Sequence, residues 1–239
     1  MLSRRFATAT LMLLTAAALA ACSDDDGNPV GTTDKNTTVR FFNATSGALN
    51  LDIATDGTVG TGNGNIAFGS ASACTKVNSA NPGIAIRPAG TTTALPGFTP
   101  TFAANGTFTV LVTGTQATPV FTALNDQFTT PTTGNAAVRI VNATTSATPG
   151  TGSWDIFVNP GATLGTPNAT AVARNGASAY LTVPAGQANT IRLTNAGQTT
   201  VVLNIPVSSL TSGTVQTIVV TDAAAGGTTL RTFTLPACT

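Results

Sequence analysis

The side chains able to move a proton or hold a metal are few. The 239-residue chain has no His and no Glu, so all of its carboxylates are Asp. Without His there is no serine–histidine relay, and three cysteines, Cys22, Cys74 and Cys238, are too few for a zinc site. One hydrolytic arrangement survives this composition, a pair of carboxylates flanking a glycosidic bond. Its candidates are Asp52, Asp56, Asp126, Asp155 and Asp222. Calcium could use the same oxygens, but no Asp-x-Asp-x-Asp spacing supports it. No Gly-rich stretch lies between a strand and a helix, so a phosphate cradle has no place either. The aspartates flank or end short β-type runs, which reads them as turn and backbone-bonding residues. No catalytic residue, cofactor or metal ligand is therefore assigned.

Charge and aromatic content narrow the binding options. Charged residues make up 8% of the chain, too sparse for the cation clusters that neutralise nucleic-acid phosphates. There is one Trp and one Tyr. Trp154 falls on the apolar side of its strand and is expected in a core, not on a sugar-stacking platform. Arg40 and Arg139 fall on the polar side of theirs. They are expected to face Asp52 and Asp155 as surface pairs, each worth at most about 1 kcal/mol. Asn43, Asn142 and Asn168 open Asn-x-Thr triplets, read here as turn signals.

An internal repeat organises the elements that position these residues. Val39-Arg40-Phe41-Phe42-Asn43-Ala44-Thr45 returns as Val138-Arg139-Ile140-Val141-Asn142-Ala143-Thr144, and Leu51-Asp52-Ile53 as Trp154-Asp155-Ile156. Ala71-Ser72-Ala73-Cys74 answers to Ala177-Ser178-Ala179-Tyr180, and Phe108–Thr113 to Val215–Val220. On this alignment Asp126 and Asp222 also match, and Asn43/Asn142 and Asp52/Asp155 are the repeat-matched structural polar pairs. The period is too long for a solenoid unit, so each copy is expected to be a domain. Within each, apolar residues alternate with polar ones, as at Leu49, Leu51 and Ile53, and Gly, Pro or Asn separates most runs. About seven strands per copy predict an all-β chain of two tandem β-sandwiches of immunoglobulin-like type. A barrel is the alternative. The boundaries expected are 38–128 for the first domain, 129–136 for a linker and 137–239 for the second.

The N-terminus has a different composition. Arg4 and Arg5 precede sixteen uncharged residues rich in Leu and Ala, too short a run to span a bilayer. Charged start, apolar middle and small residues before a cut describe an export signal over 1–21. Leu19-Ala20-Ala21-Cys22 resembles a lipobox, which implies that Cys22 is the lipidated N-terminus of an envelope-anchored chain. Ser3-Arg4-Arg5-Phe6 brushes the twin-arginine pattern without completing it, which favours the general secretory route. Residues 22–37 read as a solvated tether. Its aspartates 24–26 read either as a solubilising spacer or, by resemblance to the surface-export signal of some bacterial lipoproteins, as an address, and Ser23 after the Cys, by resemblance to the enteric sorting rule, implies the outer membrane. Lipidation of Cys22 would leave two thiols in an oxidising compartment, so Cys74 and Cys238 are expected to form a disulfide.

The elements around Val138–Ala143, Trp154–Val158 and Ser178–Gly186 resemble the bacterial domain-of-unknown-function family 4397. The first copy matches through Val39–Ala44, Leu51–Gly57 and Phe68–Ser72, but carries Cys74 where that family has an aromatic and lacks Val-Pro-Ala-Gly. The resemblance implies a fold and an envelope location, with no activity attached. Two functions of different class remain: a non-enzymatic surface module that binds an envelope protein or polysaccharide or contributes to adhesion, and an aspartate-dependent hydrolase of envelope polymer. Lack of a general base poised near neutral pH favours the first, and a plain structural spacer differs from it only in having no ligand. The partners expected are the membrane, through the lipid, and an envelope component; nucleic acid is not expected.

Overall fold

The alternation seen in the sequence becomes sixteen strands in a computed structural model that describes residues 35–47, 49–145, 152–223 and 227–238. The export signal, Cys22 and nearly all of the tether lie outside the described residues. No helix occurs among those described. The chain is all-β.

The first seven strands are β1 (Thr37–Asn43), β2 (Leu51–Thr55), β3 (Thr58–Val59), β4 (Thr75–Val77), β5 (Ile84–Pro88), β6 (Thr107–Gly114) and β7 (Pro119–Asn125). They make two sheets, ordered β4-β1-β6-β7 and β3-β2-β5. The next nine are β8 (Asn135–Asn142), β9 (Ser153–Val158), β10 (Ala169–Ala173), β11 (Gly176–Ala177), β12 (Leu181–Pro184), β13 (Asn189–Asn195), β14 (Val201–Val207), β15 (Val215–Ala223) and β16 (Gly227–Pro236). They repeat the plan as β11-β8-β15-β16, with β12 also on β8, and β10-β9-β13-β14. A parallel pair sits inside the first sheet of each half, β1 with β6 and β8 with β15; the other pairings are antiparallel. The sheets keep open edges, so these are sandwiches and not barrels. β8 opens at Asn135, inside the stretch expected to be a linker.

Each sandwich has its own core. Val39 and Phe41 of β1 meet Leu51, Ile53, Ile86, Val110 and Val112 in the first. Val138 and Ile140 of β8 meet Trp154, Ile156, Ile191, Leu193, Ile218 and Val220 in the second. Trp154 is 1% exposed, a core residue as its strand face predicts.

A third cluster has no counterpart in the sequence reading. The opposite faces of β1 and β8 also lose their water, because Phe42, Ala44, Leu111 and Leu124 of the first sandwich pack on Val141, Ala143, Val219 and Leu235 of the second. The sandwiches thus lie back to back, and residues 33–239 form one compact unit. Burial on both faces explains the near-continuous apolar runs of β1 and β8, a pattern typical of strands covered on both sides. It also moves the repeat alignment by one residue near the end. Arg40 pairs with Thr109 across β1/β6, and Arg139 with Thr217 across β8/β15, so Thr109 corresponds to Thr217 and Phe108 to Gln216. The expected match of Phe108 with Val215 would have exchanged core and outer faces, since a one-residue slip turns every side chain over.

Candidate functional site

The repeat-matched polar residues hold loops. Asp52 accepts hydrogen bonds from the backbone N–H groups of Asn65 (2.7 Å) and Gly90 (2.8 Å). Asp155 does the same for Ala171 (2.9 Å) and Gly197 (2.8 Å). Asn43 donates to the carbonyls of Leu49 and Ile66 and accepts from the N–H and hydroxyl of Thr45. Asn142 donates to Gly152 and Val172 and accepts likewise from Thr144. Ser72 and Ser178 each accept from a first-strand N–H, that of Phe41 or Ile140, and donate to the next residue's carbonyl. These bonds interrupt the pairing beside β1 and β8 and fix the loops that cross the sandwich ends.

The two arginines are not where the strand pattern placed them. Arg40 and Arg139 are each 3% exposed and face Asp126, not Asp52 and Asp155. The side of the strand read as wet is the side the other sandwich covers. Arg139 meets Asp126 Oδ1 at 2.5 Å and donates to the Asn125 carbonyl at 2.7 Å. Arg40 donates from Nε to the Thr109 hydroxyl at 2.8 Å and from a terminal nitrogen to the Pro236 carbonyl, with its other terminal nitrogen 3.6 Å from Asp126 Oδ2. The Thr109 hydroxyl donates to that same oxygen at 2.5 Å.

The exchange is reciprocal. Asn125 faces Phe108 on β6 and Pro236 faces Gln216 on β15, so they hold equivalent positions, and each arginine reaches across to the other sandwich's last strand. Asp126 breaks the symmetry, because the residue after Pro236 is Ala237. The expected match of Asp126 with Asp222 therefore fails. Asp222 lies in β15 at the place of Gly114 in β6, and its carboxylate accepts from the N–H and hydroxyl of Thr145.

Two guanidinium groups against one carboxylate leave one positive charge in excess, in a place where ions lose most of their hydration. Burial lowers the pKa of Arg40, Asp126 opposes that shift, and Arg139 adds to it. Tyr180 covers the other arginine, its ring centroid 4.9 Å from the Arg139 guanidinium carbon. Phe128 packs edge-on against Tyr180 at 5.7 Å and stays 43% exposed.

Cys74 and Cys238 form a disulfide that ties the end of the second half to the first. Cys74 follows Ser72 at the place that Tyr180 takes after Ser178. Of these two repeat-equivalent places, one thus carries a ring and the other a covalent bridge.

Beside these groups lies a cleft of about 480 Å³, lined by Arg40, Asp126, Gln127, Phe128, Tyr180 and Cys238 among others. A second depression of about 430 Å³ shares Gln127, Phe128 and Tyr180 and continues past Thr130, Thr132 and Thr182. Sequence reasoning assigned no role to Phe128, Tyr180 or Gln127. The one signal for them was the arginine conserved between the repeats within an otherwise apolar strand. Among the described residues no three His, Cys, Asp or Glu side chains gather as a metal site would require.

Residues 37–148 fit the family model described as Domain of unknown function (DUF4397). The match covers the first sandwich and runs through β8, the strand that begins the second. No curated protein matches the chain.

Proposed function

We propose that this chain is an envelope-anchored lipoprotein whose two sandwiches, both copies of the matched family, act as a non-catalytic surface binding module. The observation that carries the reading is the chemistry of the seam cleft. Asp126 is the only carboxylate among the described residues that line it, and it is held between two guanidinium groups and a hydroxyl. A two-carboxylate hydrolase needs a second acid roughly 5–10 Å away across the scissile bond. Asp52 and Asp155, the other acids the repeat singles out, have both carboxylate oxygens occupied by backbone N–H groups. A cleft with one exposed ring, amide and hydroxyl groups is suited to recognition. The anchor rests on Leu19-Ala20-Ala21-Cys22, with the outer membrane as its address.

The test has two arms. Cells expressing the chain are fractionated, and Cys22→Ser should move it from membranes to the soluble fraction or leave it unprocessed; acylation of the variant overturns the anchor. The mature chain is then incubated with peptidoglycan, polysaccharide and ester substrates. Retention without turnover is expected, whereas turnover abolished by Asp126→Asn, Asp52→Asn or Asp155→Asn puts the hydrolase reading ahead.

A further inference from the structure

We infer that the seam cleft is a binding site for an acidic saccharide, with the sugar carboxylate at Arg40 and the pyranose ring against Phe128 and Tyr180. The inference rests on the binding-module reading and gives that module a site and a ligand class.

Charge is the first argument. Arg139 is closed off by Asp126, by the Asn125 carbonyl and by the Tyr180 ring. Arg40 has two neutral partners, the Thr109 hydroxyl and the Pro236 carbonyl, but less counter-charge than Arg139, since Asp126 stands 3.6 Å from it and has its nearer contacts with Arg139 and Thr109. It is also the arginine that lines the cleft. A buried cation with an incomplete counter-charge favours an anion placed against it, and a planar guanidinium favours a carboxylate. Asp126 repels such an anion, but the cluster as a whole remains one charge positive.

Shape and wall chemistry are the second argument. Phe128 keeps 43% of its surface exposed although Tyr180 is beside it to pack on, which leaves apolar surface in the cleft for a ligand to cover. The Tyr180 ring is held by Arg139 on its face, and its hydroxyl is 3.5 Å from the Asp126 carbonyl. Gln127, Thr130, Thr132 and Thr182 extend the wall as amide and hydroxyl groups, which match sugar hydroxyls. Cleft and extension each fall within the roughly 300–1,000 Å³ of small-ligand sites. An extended peptide would pair along an open strand edge and seat its side chains in apolar pockets; among the described residues β12 pairs only with β8 and supplies Thr182 to this wall, so the titration below includes a peptide as the competing occupant.

Binding of trigalacturonic acid, its methyl ester and a peptide with a free C-terminal carboxylate to the full mature chain is measured by titration calorimetry at low ionic strength. The acid should bind, and the ester at least tenfold more weakly. Phe128→Ala should weaken the acid at least tenfold with an unchanged thermal midpoint. Equal binding of acid and ester, acid binding indifferent to Phe128→Ala, or binding of the peptide in place of the acid overturns the inference. If no acidic sugar binds while envelope polymer is still retained, the cleft assignment falls and the module reading stands. Loss of both signals removes both.

Discussion

Asp126 shows how little a residue's type says before its neighbours are known. In the sequence it is one of nine aspartates near the end of a strand; in the fold it is 5% exposed and holds two arginines from different sandwiches. Replacing one partner of a buried ion pair strands the other charge and typically costs about 3–5 kcal/mol. Asp126→Asn, which leaves two guanidinium groups facing each other, is expected to fall in that range by urea unfolding; a loss below about 1 kcal/mol would mean that the cluster is solvated. Gly69 makes a second prediction at this scale. Its φ is +77°, and a Cβ there would overlap the ring of Phe233 in the seam. Gly69→Ala combines overpacking with a disfavoured backbone conformation and should cost about 2–4 kcal/mol, whereas Gly134→Ala, also at positive φ but with open space around it, should cost only about 1 kcal/mol.

At the scale of elements, strand alternation located most runs well, because a sheet with one buried face writes its period directly into the sequence. Asn43 and Asn142 read from the sequence only as turn signals matched between the repeats; the structure adds their partners, two backbone carbonyls and a threonine for each. Deleting either leaves two backbone carbonyls and a threonine without their bonds, at about 1 kcal/mol per bond or more when the group stays buried. Asn43→Ala and Asn142→Ala should each lose more than about 2 kcal/mol, and near-equal losses are expected because the bonding is the same in both halves. What the pattern could not convey was which face of β1 and β8 was wet. Arg40 and Arg139 look like solvent markers in a period of two, and only the sheet stacked behind them makes them interior. The one-residue error at β6 and β15 has the same origin. With both faces apolar, the alternation that fixes register is weak, and Phe108 can be aligned with Val215 as readily as with Gln216.

For the whole molecule, the back-to-back seam predicts how the chain unfolds. Two sandwiches with separate cores could melt independently, like beads on a string. Here Phe42, Leu111, Val141 and Val219 are all fully buried between them, the arginines cross in both directions, and Cys74–Cys238 closes the chain over 164 residues. Each sandwich leaves a largely apolar sheet face uncovered without the other, so opening one destabilises its neighbour. The oxidised chain should therefore show a single calorimetric transition with matching van't Hoff and calorimetric enthalpies. Reduction releases the cross-link, for which chain entropy sets a ceiling of about 5 kcal/mol, and should lower the midpoint while keeping one transition, because the seam survives. Phe42→Ala attacks the seam itself: truncating a buried Phe costs about 3–5 kcal/mol, and in the reduced chain it should split the melt into two steps. Two transitions in the oxidised wild-type chain would show that the sandwiches fold independently, and a single transition in reduced Phe42→Ala would place their coupling in the arginine–aspartate cluster instead of in the apolar contacts.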